Sequence, residues 1–142
     1  MHIRRIADTD IQACATLCSA AWATALPDIP RSISKDVLEA ETLGEMTLVA
    51  TRGDRICGLV SVWEADWFIH HLFVDPDAQG QGVGSALLGK VEGLAKNAPL
   101  RLKCLTANAS AMGFYTSVGF TKTDTHGTDQ YGDWVLLQKT PA

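Results

Sequence analysis

Three glycines alternate with other residues along positions 79–85, in an arrangement that suits an anion. A run of β-branched and aromatic residues at 67–74 predicts a strand before them, and Pro76 helps to end it because proline fixes φ and lacks a backbone donor. An apolar stripe at helical spacing predicts a helix behind them, through Val83, Leu87, Val91 and Ala95. A bare turn at a helix N-terminus offers free N–H groups and a favourable dipole to negative charge. The segment therefore predicts a site for a phosphate-bearing ligand.

Two familiar glycine motifs do not fit this segment. A nucleotide P-loop needs a lysine directly after its last glycine, whereas the first lysine here is Lys90. The dinucleotide fingerprint Gly-x-Gly-x-x-Gly follows a strand at once, but here the third glycine comes early and the strand ends well upstream. The pattern that fits is Gln-x-x-Gly-x-Gly over residues 79–84, with Leu-x-Val-x-Pro ahead of it at 72–76. This arrangement resembles the acyl-CoA pyrophosphate loop of the GNAT superfamily of N-acetyltransferases.

Residues 108–120 resemble a second motif of the same family, Asn-x-x-Ala-x-x-Phe-Tyr-x-x-x-Gly-Phe. All of its defined positions are filled, by Asn108, Ala111, Phe114, Tyr115, Gly119 and Phe120. The two motifs stand in the family's order and at its usual distance, which unrelated patterns rarely do. The resemblance extends weakly over the whole chain, and it implies acetyl-CoA as an acyl-donor cosubstrate.

Apolar runs and turn residues predict the order β-α-α-β-β-β-α-β-α-β-β in a single domain, residues 1–142. We expect Asp8 to cap the first helix, Ser32 or Ser34 to cap the second, and the apolar strand at 100–105 to be buried on both faces. The resemblance implies an α/β (mixed α+β) fold with a central mixed sheet of about seven strands. In that fold the sheet splays between the fourth and fifth strands and carries helices on both faces.

The resemblance also implies which residues bind the donor. The N–H groups of the glycine loop bind its diphosphate, at Gln79, Gly80, Gln81, Gly82, Val83, Gly84 and Ser85. The amide-rich pantetheine arm pairs like an added strand with the edge at Leu72, Phe73 and Val74. A main-chain N–H near Phe73 or Val74 stabilises the negative charge that develops on the carbonyl oxygen of the acetyl group during the reaction. Asn108 has two open roles, as a partner of that arm and as the cap of the next helix.

Tyr115 matches the family's general acid, a phenol that gives a proton to the departing thiolate. The alternative is a core tyrosine on the apolar stripe of its helix. Phe68 stands where some family members have a glutamate base. His70, two residues along the same strand face, becomes the candidate catalytic base, and alternation predicts that His71 points to the opposite face. The other interpretations are that His70 is structural and that water alone removes the proton.

Aromatic and acidic residues could hold an acceptor amine through cation–π and charge contacts. The candidate substrate-binding residues are Trp22, Asp28, Glu64 and Trp67. Glu64 could also act as a base through water, with Asp28 and His126 as weaker candidates. Further aromatic residues that could belong to the core or to the pocket are Trp63, Tyr131 and Trp134.

Composition limits the class of protein. A chain of 142 residues with 46% hydrophobic residues supports one core, and a formal charge of −4 argues against a nucleic-acid partner. No apolar run approaches the ~20 residues of a membrane span, and the first residues lack the apolar stretch of a signal peptide. Cys14 and Cys18 share an apolar helical face without further metal ligands, so we expect buried thiols, no metal and a cytoplasmic, reducing location.

Together these features predict an acetyl-CoA-dependent N-acetyltransferase that transfers acetyl directly to a primary amine in a ternary complex. The acceptor is a small molecule, a peptide N-terminus or a lysine, and the sequence leaves its identity open. Two rivals remain, a non-catalytic acetyl-CoA-binding sensor and a binder of another phosphate ligand. A homodimer through the final strands, common among proteins that resemble this one, also remains open.

Overall fold

The computed structural model describes residues 1–141 of the chain. These residues form the strands β1 (His2–Arg5), β2 (Met46–Arg52), β3 (Arg55–Trp63), β4 (Phe68–Val74), β5 (Leu100–Leu105), β6 (Thr121–Asp129) and β7 (Gly132–Lys139). They also form the helices α1 (Ile11–Ala25), α2 (Lys35–Glu41), α3 (Val83–Ala95) and α4 (Ala109–Ser117), with short 3₁₀ turns at Asp8–Asp10 and Pro76–Ala78. The predicted order of elements and the mixed α/β class are confirmed.

The strands form a mixed sheet in the order β1-β2-β3-β4-β5-β7-β6. Neighbouring strands are antiparallel except for β4 and β5, which α3 connects as a parallel pair. Within the described chain, β4 and β5 pair at Phe68 with Arg101 and at Ile69 with Leu102, and at no further positions. Beyond these pairs the two strands diverge, so the predicted splay between the fourth and fifth strands is confirmed.

Helices cover both faces of the sheet because side chains alternate along its central strands. On β2, Leu48 belongs to the core cluster on one face, which includes residues of α3 and α4, whereas Val49 belongs to the cluster on the other face, which includes residues of α1 and α2. Each fully buried side chain of this kind contributes about 1.5–3 kcal/mol. On the α3 face, β3 approaches the helix so closely that a methyl group at Gly58 would lie 2.7 Å from Val83 and 3.1 Å from the carbonyl oxygen of Phe73. This contact fixes the start of α3 beside the end of β4.

The starts of α1 and α2 are held in different ways. Asp8, the expected cap, opens the 3₁₀ turn instead, and the Asp10 carboxylate accepts a hydrogen bond of 2.7 Å from the N–H of Ala7. The prediction for Asp8 is therefore wrong, because the chain makes an extra turn before α1 begins. Ser34 caps α2, since its hydroxyl accepts from the N–H of Val37 at 3.2 Å. This contact decides between the two serines that the sequence offers.

β5 is buried on one face, so the prediction that both faces are buried is wrong. Leu100, Leu102 and Cys104 are buried, whereas Lys103 between them is exposed. The ammonium of Lys103 lies 4.2 Å from the centroid of the Trp134 indole ring, on the neighbouring strand β7. The splay leaves this second face without a covering layer, and a long charged side chain there keeps its head in water while its stem covers apolar surface.

The cysteines are buried and free, at Cys14, Cys18, Cys57 and Cys104. Burial is the main cause that raises the pKa of Cys14 to about 12 and that of Cys104 to about 11. The expectation that Cys14 and Cys18 act as small core residues is confirmed. Across residues 1–141, none of the helices has both the length and the apolar character needed to cross a membrane.

Candidate active site

A cleft of about 910 Å³ opens where β4 and β5 diverge. Its walls are the free edge of β4, the start of α3 with the glycine loop before it, and α4. The part of the cleft away from the glycine loop is called the inner end. It is lined by Trp22, Arg31, Glu41, His70, His71 and Tyr131. The volume lies at the upper limit of ordinary small-molecule sites, so the cleft is large enough for a long ligand and a second molecule together.

The glycine loop forms an open cradle ahead of α3. Gly80 and Gly82 have φ angles of +77° and +80°, a left-handed conformation that disfavours any side chain. In the described structure, a Cβ at either glycine would have no neighbour within 4 Å, so the space beside the backbone is free. Gly82 is the cap residue of α3, and the first N–H groups of a helix have no acceptor within it. These features fit a diphosphate group.

Charged side chains brace the loop from outside the cleft. The guanidinium of Arg55 pairs with Asp75 at 2.8 Å and with Asp77 at 3.1 Å, and Asp75 also accepts from the N–H of Asp77. Arg55 is the main cause that lowers the pKa of the Asp75 carboxyl. The side chain of Gln81 bonds to the guanidinium of Arg52 and does not line the cleft. The other loop positions named from the sequence do line it, at Gln79, Gly80, Gly82, Val83, Gly84 and Ser85.

The end of β4 presents a free backbone edge to the cleft, at Leu72, Phe73 and Val74. On the opposite side the strand is paired with β3, Leu72 with Val60 and Val74 with Gly58. On the cleft side β5 has already diverged, so the backbone groups that point there lack a strand partner. Backbone N–H and C=O groups need partners, and a ligand rich in amides can supply them.

Tyr115 and Asn108 reach the cleft from α4. Tyr115 is 8% exposed, and its ring packs edge-on against Phe120 with centroids 5.5 Å apart. Burial, with a smaller effect of Cys104, raises the pKa of the Tyr115 phenol above its usual range. The phenol therefore keeps its proton at neutral pH and is able to donate it. Asn108 caps α4, since its side-chain oxygen accepts from the N–H of Ala111 at 3.0 Å.

The adjacent histidines of β4 lie together in the cleft instead of on opposite faces. Ser61 of β3 pairs with His71 and Val62 pairs with Ile69, so that His70 is the extra residue of a β-bulge. The rings of His70 and His71 stack with centroids 4.0 Å apart and planes 19° apart. The prediction that His71 points to the opposite face is wrong, because the bulge interrupts the alternation of a regular strand.

Each histidine contacts its own glutamate. Nδ1 of His70 lies 2.9 Å from Oε2 of Glu45, and Nε2 of His71 lies 3.1 Å from Oε1 of Glu41. Burial lowers the pKa of His71, so that this ring is neutral at neutral pH. The contact with His71, together with Arg31, lowers the pKa of Glu41 to about 2. The inner end thus combines two imidazoles with the carboxylate of Glu41, and Glu45 contacts one of these imidazoles without lining the cleft itself.

Arg31 joins this network to the aromatic residues. Its Nη2 lies 2.5 Å and 2.7 Å from the two carboxylate oxygens of Glu41. Its guanidinium carbon lies 4.9 Å from the ring centroid of Trp22 and 5.0 Å from that of Tyr131. The two rings meet edge to face at 5.1 Å. Trp22 therefore lines the cleft as the sequence suggests, but its ring already contacts a cation of the protein itself.

The remaining residues named from the sequence lie away from the cleft. Asp28 is exposed in the loop after α1, Glu64 is exposed in the β3–β4 turn, and His126 is exposed on β6. Trp67 lies in the same turn as Glu64 with a φ of +53°, which is unusual for an aromatic residue, and packs against the core. Trp63 is 47% exposed at the end of β3. None of these five side chains lines the cleft.

Glu41, His70 and His71 offer ligand atoms within 4.8 Å of one another, and a metal ion could use such a set. Two contacts weigh against that use. Arg31 already neutralises Glu41, and Glu45 already holds Nδ1 of His70. A cation at this point would face the Arg31 guanidinium at short range, which weighs against a metal ion there.

A family model for the acetyltransferase (GNAT) domain matches residues 23–140. The match covers most of the chain and includes the glycine loop, β4 and α4. The chain belongs to this family, which confirms the resemblance found in the two motifs.

Relatives and solved structures agree with this assignment. The chain is 34% identical over 76 residues to the N-alpha-acetyltransferase RimI of Mycobacterium tuberculosis, a match that covers 54% of this chain and 47% of the relative. The PaiA N-acetyltransferase of Thermoplasma acidophilum, solved in complex with coenzyme A, has a TM-score of 0.81 at 19% identity, with 99% of this chain and 98% of that chain covered. YncA of Salmonella typhimurium, solved with acetyl-CoA, has a TM-score of 0.74 at 21% identity, with 98% and 92% covered. The chain spans 21% to 47% of the length of the curated relatives it matches.

Proposed function

We propose that this chain is an N-acetyltransferase that moves an acetyl group from acetyl-CoA to a primary amine, with residues 1–142 acting as one domain. The observation that carries the proposal is a continuous cleft that joins an open glycine loop, a free strand edge and a buried phenol. Family membership, a relative named as an N-alpha-acetyltransferase, and similar folds solved with coenzyme A or acetyl-CoA support it. The proposal includes a cytoplasmic location and a reaction without a metal.

The chain binds the donor along the cleft. N–H groups from Gln79 to Ser85 hold the diphosphate, because bare amides and a helix dipole favour negative charge. The edge of β4 at residues 72–74 pairs with the amide arm. The side-chain oxygen of Asn108 caps α4, which leaves its NH₂ group for the same arm. These contacts direct the thioester toward the point where β4 and β5 diverge.

His70 and Tyr115 handle the protons of the reaction. His70 takes one proton from the acceptor ammonium, and the freed nitrogen lone pair forms the C–N bond at the thioester carbon. An N–H of Phe73 or Val74 stabilises the charge on the carbonyl oxygen. As the C–S bond breaks and sulfur takes its electron pair, Tyr115 donates a proton to that sulfur. The second proton lost by the nitrogen returns to Tyr115 through water, and His70 releases the first to solvent.

The inner end suits an acceptor amine. His70 lines it as the base, and the aromatic rings of Trp22 and Tyr131 border the same space. The acceptor class is a primary amine of a small molecule, a peptide N-terminus or a lysine. The match to a protein named as an N-alpha-acetyltransferase favours the peptide N-terminus among these.

Release of free thiol from acetyl-CoA in the presence of a panel of amines tests the proposal. An enzyme releases coenzyme A with at least one amine, in equal amount to the acetylated product. Replacement Tyr115→Phe should lower kcat by about 100-fold and leave the Kd for acetyl-CoA unchanged. Tyr131→Phe is the matched control, because it also removes a hydroxyl from the cleft. Tight binding of acetyl-CoA without turnover on any amine would instead favour the sensor.

A further inference from the structure

We propose that Glu45 is the positioning residue of the base, which fixes the tautomer and the orientation of His70. This inference rests on the proposed function, because it assigns a partner to the group that deprotonates the acceptor. No sequence motif indicates Glu45, which lies four residues after the end of α2 and immediately before β2.

The environment of Glu45 leaves its carboxylate few alternatives. The side chain is 8% exposed, and Oε1 has no hydrogen-bond partner within the described residues. Oε2 lies 2.9 Å from Nδ1 of His70. A buried carboxylate without donors is costly, so its contact with His70 is the one that compensates its loss of water. Glu45 and His70 therefore hold each other in place.

This contact decides which nitrogen of His70 is able to act as the base. An ionised carboxylate only accepts hydrogen bonds, so Nδ1 carries the proton. Nε2 is then the nitrogen with the free lone pair, on a ring that is 38% exposed and lines the cleft. The β-bulge also brings the ring of His70 onto that of His71, with the two ring centroids 4.0 Å apart, and this stacking further restricts the ring.

The neighbouring groups allow a proton to reach this site. Burial keeps His71 neutral at neutral pH, so the stacked ring adds no positive charge against the imidazolium of His70. The positive charge of Arg31 is paired with Glu41 rather than with Glu45. When Nε2 takes the proton of the ammonium, Nδ1 keeps its own, and the cation that results lies beside the Glu45 carboxylate. The negative partner is thus present before the charge develops.

Kinetics of single and double variants test the proposal. Glu45→Ala should lower kcat by about 10-fold to 100-fold and leave the KM for acetyl-CoA unchanged. The amide oxygen of Glu45→Gln still accepts a hydrogen bond from Nδ1–H and keeps part of the orientation of His70. Its kcat should therefore fall between that of the wild type and that of Glu45→Ala. In a His70→Ala background, Glu45→Ala should have no further effect. The exposed Glu39→Ala on α2 is the control and should leave kcat unchanged.

The tautomer of His70 gives a second readout that is independent of activity. Long-range ¹H–¹⁵N correlation on histidine-labelled protein should show Nδ1–H in the wild type and in Glu45→Gln, and a loss of that preference in Glu45→Ala. An Nε2–H tautomer in the wild type would overturn the inference. So would a double variant whose decrease in kcat equals the product of the decreases in Glu45→Ala and His70→Ala. Absence of turnover on every amine would defeat the proposed function alone, and the tautomer would still decide the role of Glu45.

Discussion

Gly84 and Phe114 are in contact: a methyl group at Gly84 would lie 3.1 Å from Cζ of the Phe114 ring. Gly84 is the last glycine of the loop motif, and Phe114 belongs to the motif on α4. Gly84 is buried, and unlike Gly80 and Gly82 it does not have a positive φ. The contact explains why the pattern ends in a small residue, because it lets the ring of α4 pack against the first turn of α3. The two motifs therefore support each other physically.

Removal of this ring should weaken the donor site. Phe114→Ala deletes a half-buried ring, and we expect it to reduce the free energy of unfolding by about 1–2 kcal/mol. The start of α3 loses its support, so the Kd for coenzyme A should rise about 10-fold. Met112→Ala on the same helix is the control, since Met112 is half-buried but does not line the cleft. Calorimetric titration and urea unfolding measure both effects, and equal Kd changes in the two variants would contradict the prediction.

Gly82, the cap of α3, should be more important for the donor than Gly89, which lies farther along that helix. Gly82→Ala places a methyl group at a φ of +80°, at a cost of about 1–2 kcal/mol, and fills space beside the bare amides. We expect the Kd for coenzyme A to rise at least about 10-fold, as one lost charge-assisted contact would produce. Gly89→Ala, exposed in the same helix, should stabilise the protein by up to about 1 kcal/mol and leave the Kd unchanged. Unchanged affinity in Gly82→Ala would mean that the diphosphate binds elsewhere.

The raised pKa of Tyr115 predicts activity in alkaline solution. A phenol acid works only while it holds its proton, and burial moves its titration above the ordinary value of about 10. With saturating substrates, kcat should therefore stay level up to about pH 10. If Tyr115 titrated like an exposed tyrosine, kcat would already decrease over that range. Circular dichroism at each pH checks that the protein stays folded. A fall centred well below pH 9 would show that another group limits the reaction.

Glu41 should contribute to stability in a way that acid removes. Its pKa in the folded protein is about 2, below the ordinary 4.5, so its stabilisation is fully present above pH 4.5 and is lost as the pH falls toward 2. Glu41→Gln should lack this acid-dependent part, which amounts to about 2 kcal/mol. Urea unfolding at pH 6 and at pH 3 measures it, with exposed Glu39→Gln as the control. If the free energy of unfolding decreased equally between pH 6 and pH 3 in the wild type and in Glu41→Gln, Arg31 and His71 would not stabilise this carboxylate.

The parts of the site that the sequence predicts are those that depend on local chain geometry. The glycine loop, α3 and the cap at Asn108 each involve residues close together in the chain, so their residue types indicate their conformation. The splay of β4 and β5 came from the family resemblance, since nothing in either strand alone fixes where their pairing ends.

The parts that the sequence does not predict depend on contacts between distant segments. The bulge at His70 arises from the pairing of β4 with β3, and a strand read alone shows regular alternation. Glu41, at the end of α2, and Glu45, just before β2, contact histidines of β4 that lie about 25 to 30 residues further along the chain. The spacing of these glutamates, four apart where α2 ends, was the one local signal, and it is common on solvated helices.

The buried cysteines have a practical consequence for measuring turnover. Disulfide exchange with a chromogenic reagent requires a thiolate that the reagent can reach, and each of the protein's four cysteine thiols is buried. Cys104, at the cleft wall, is 4% exposed and remains protonated in mildly alkaline buffer. The liberated coenzyme should then be the sole source of colour, so that catalysis can be followed continuously without correction for the polypeptide.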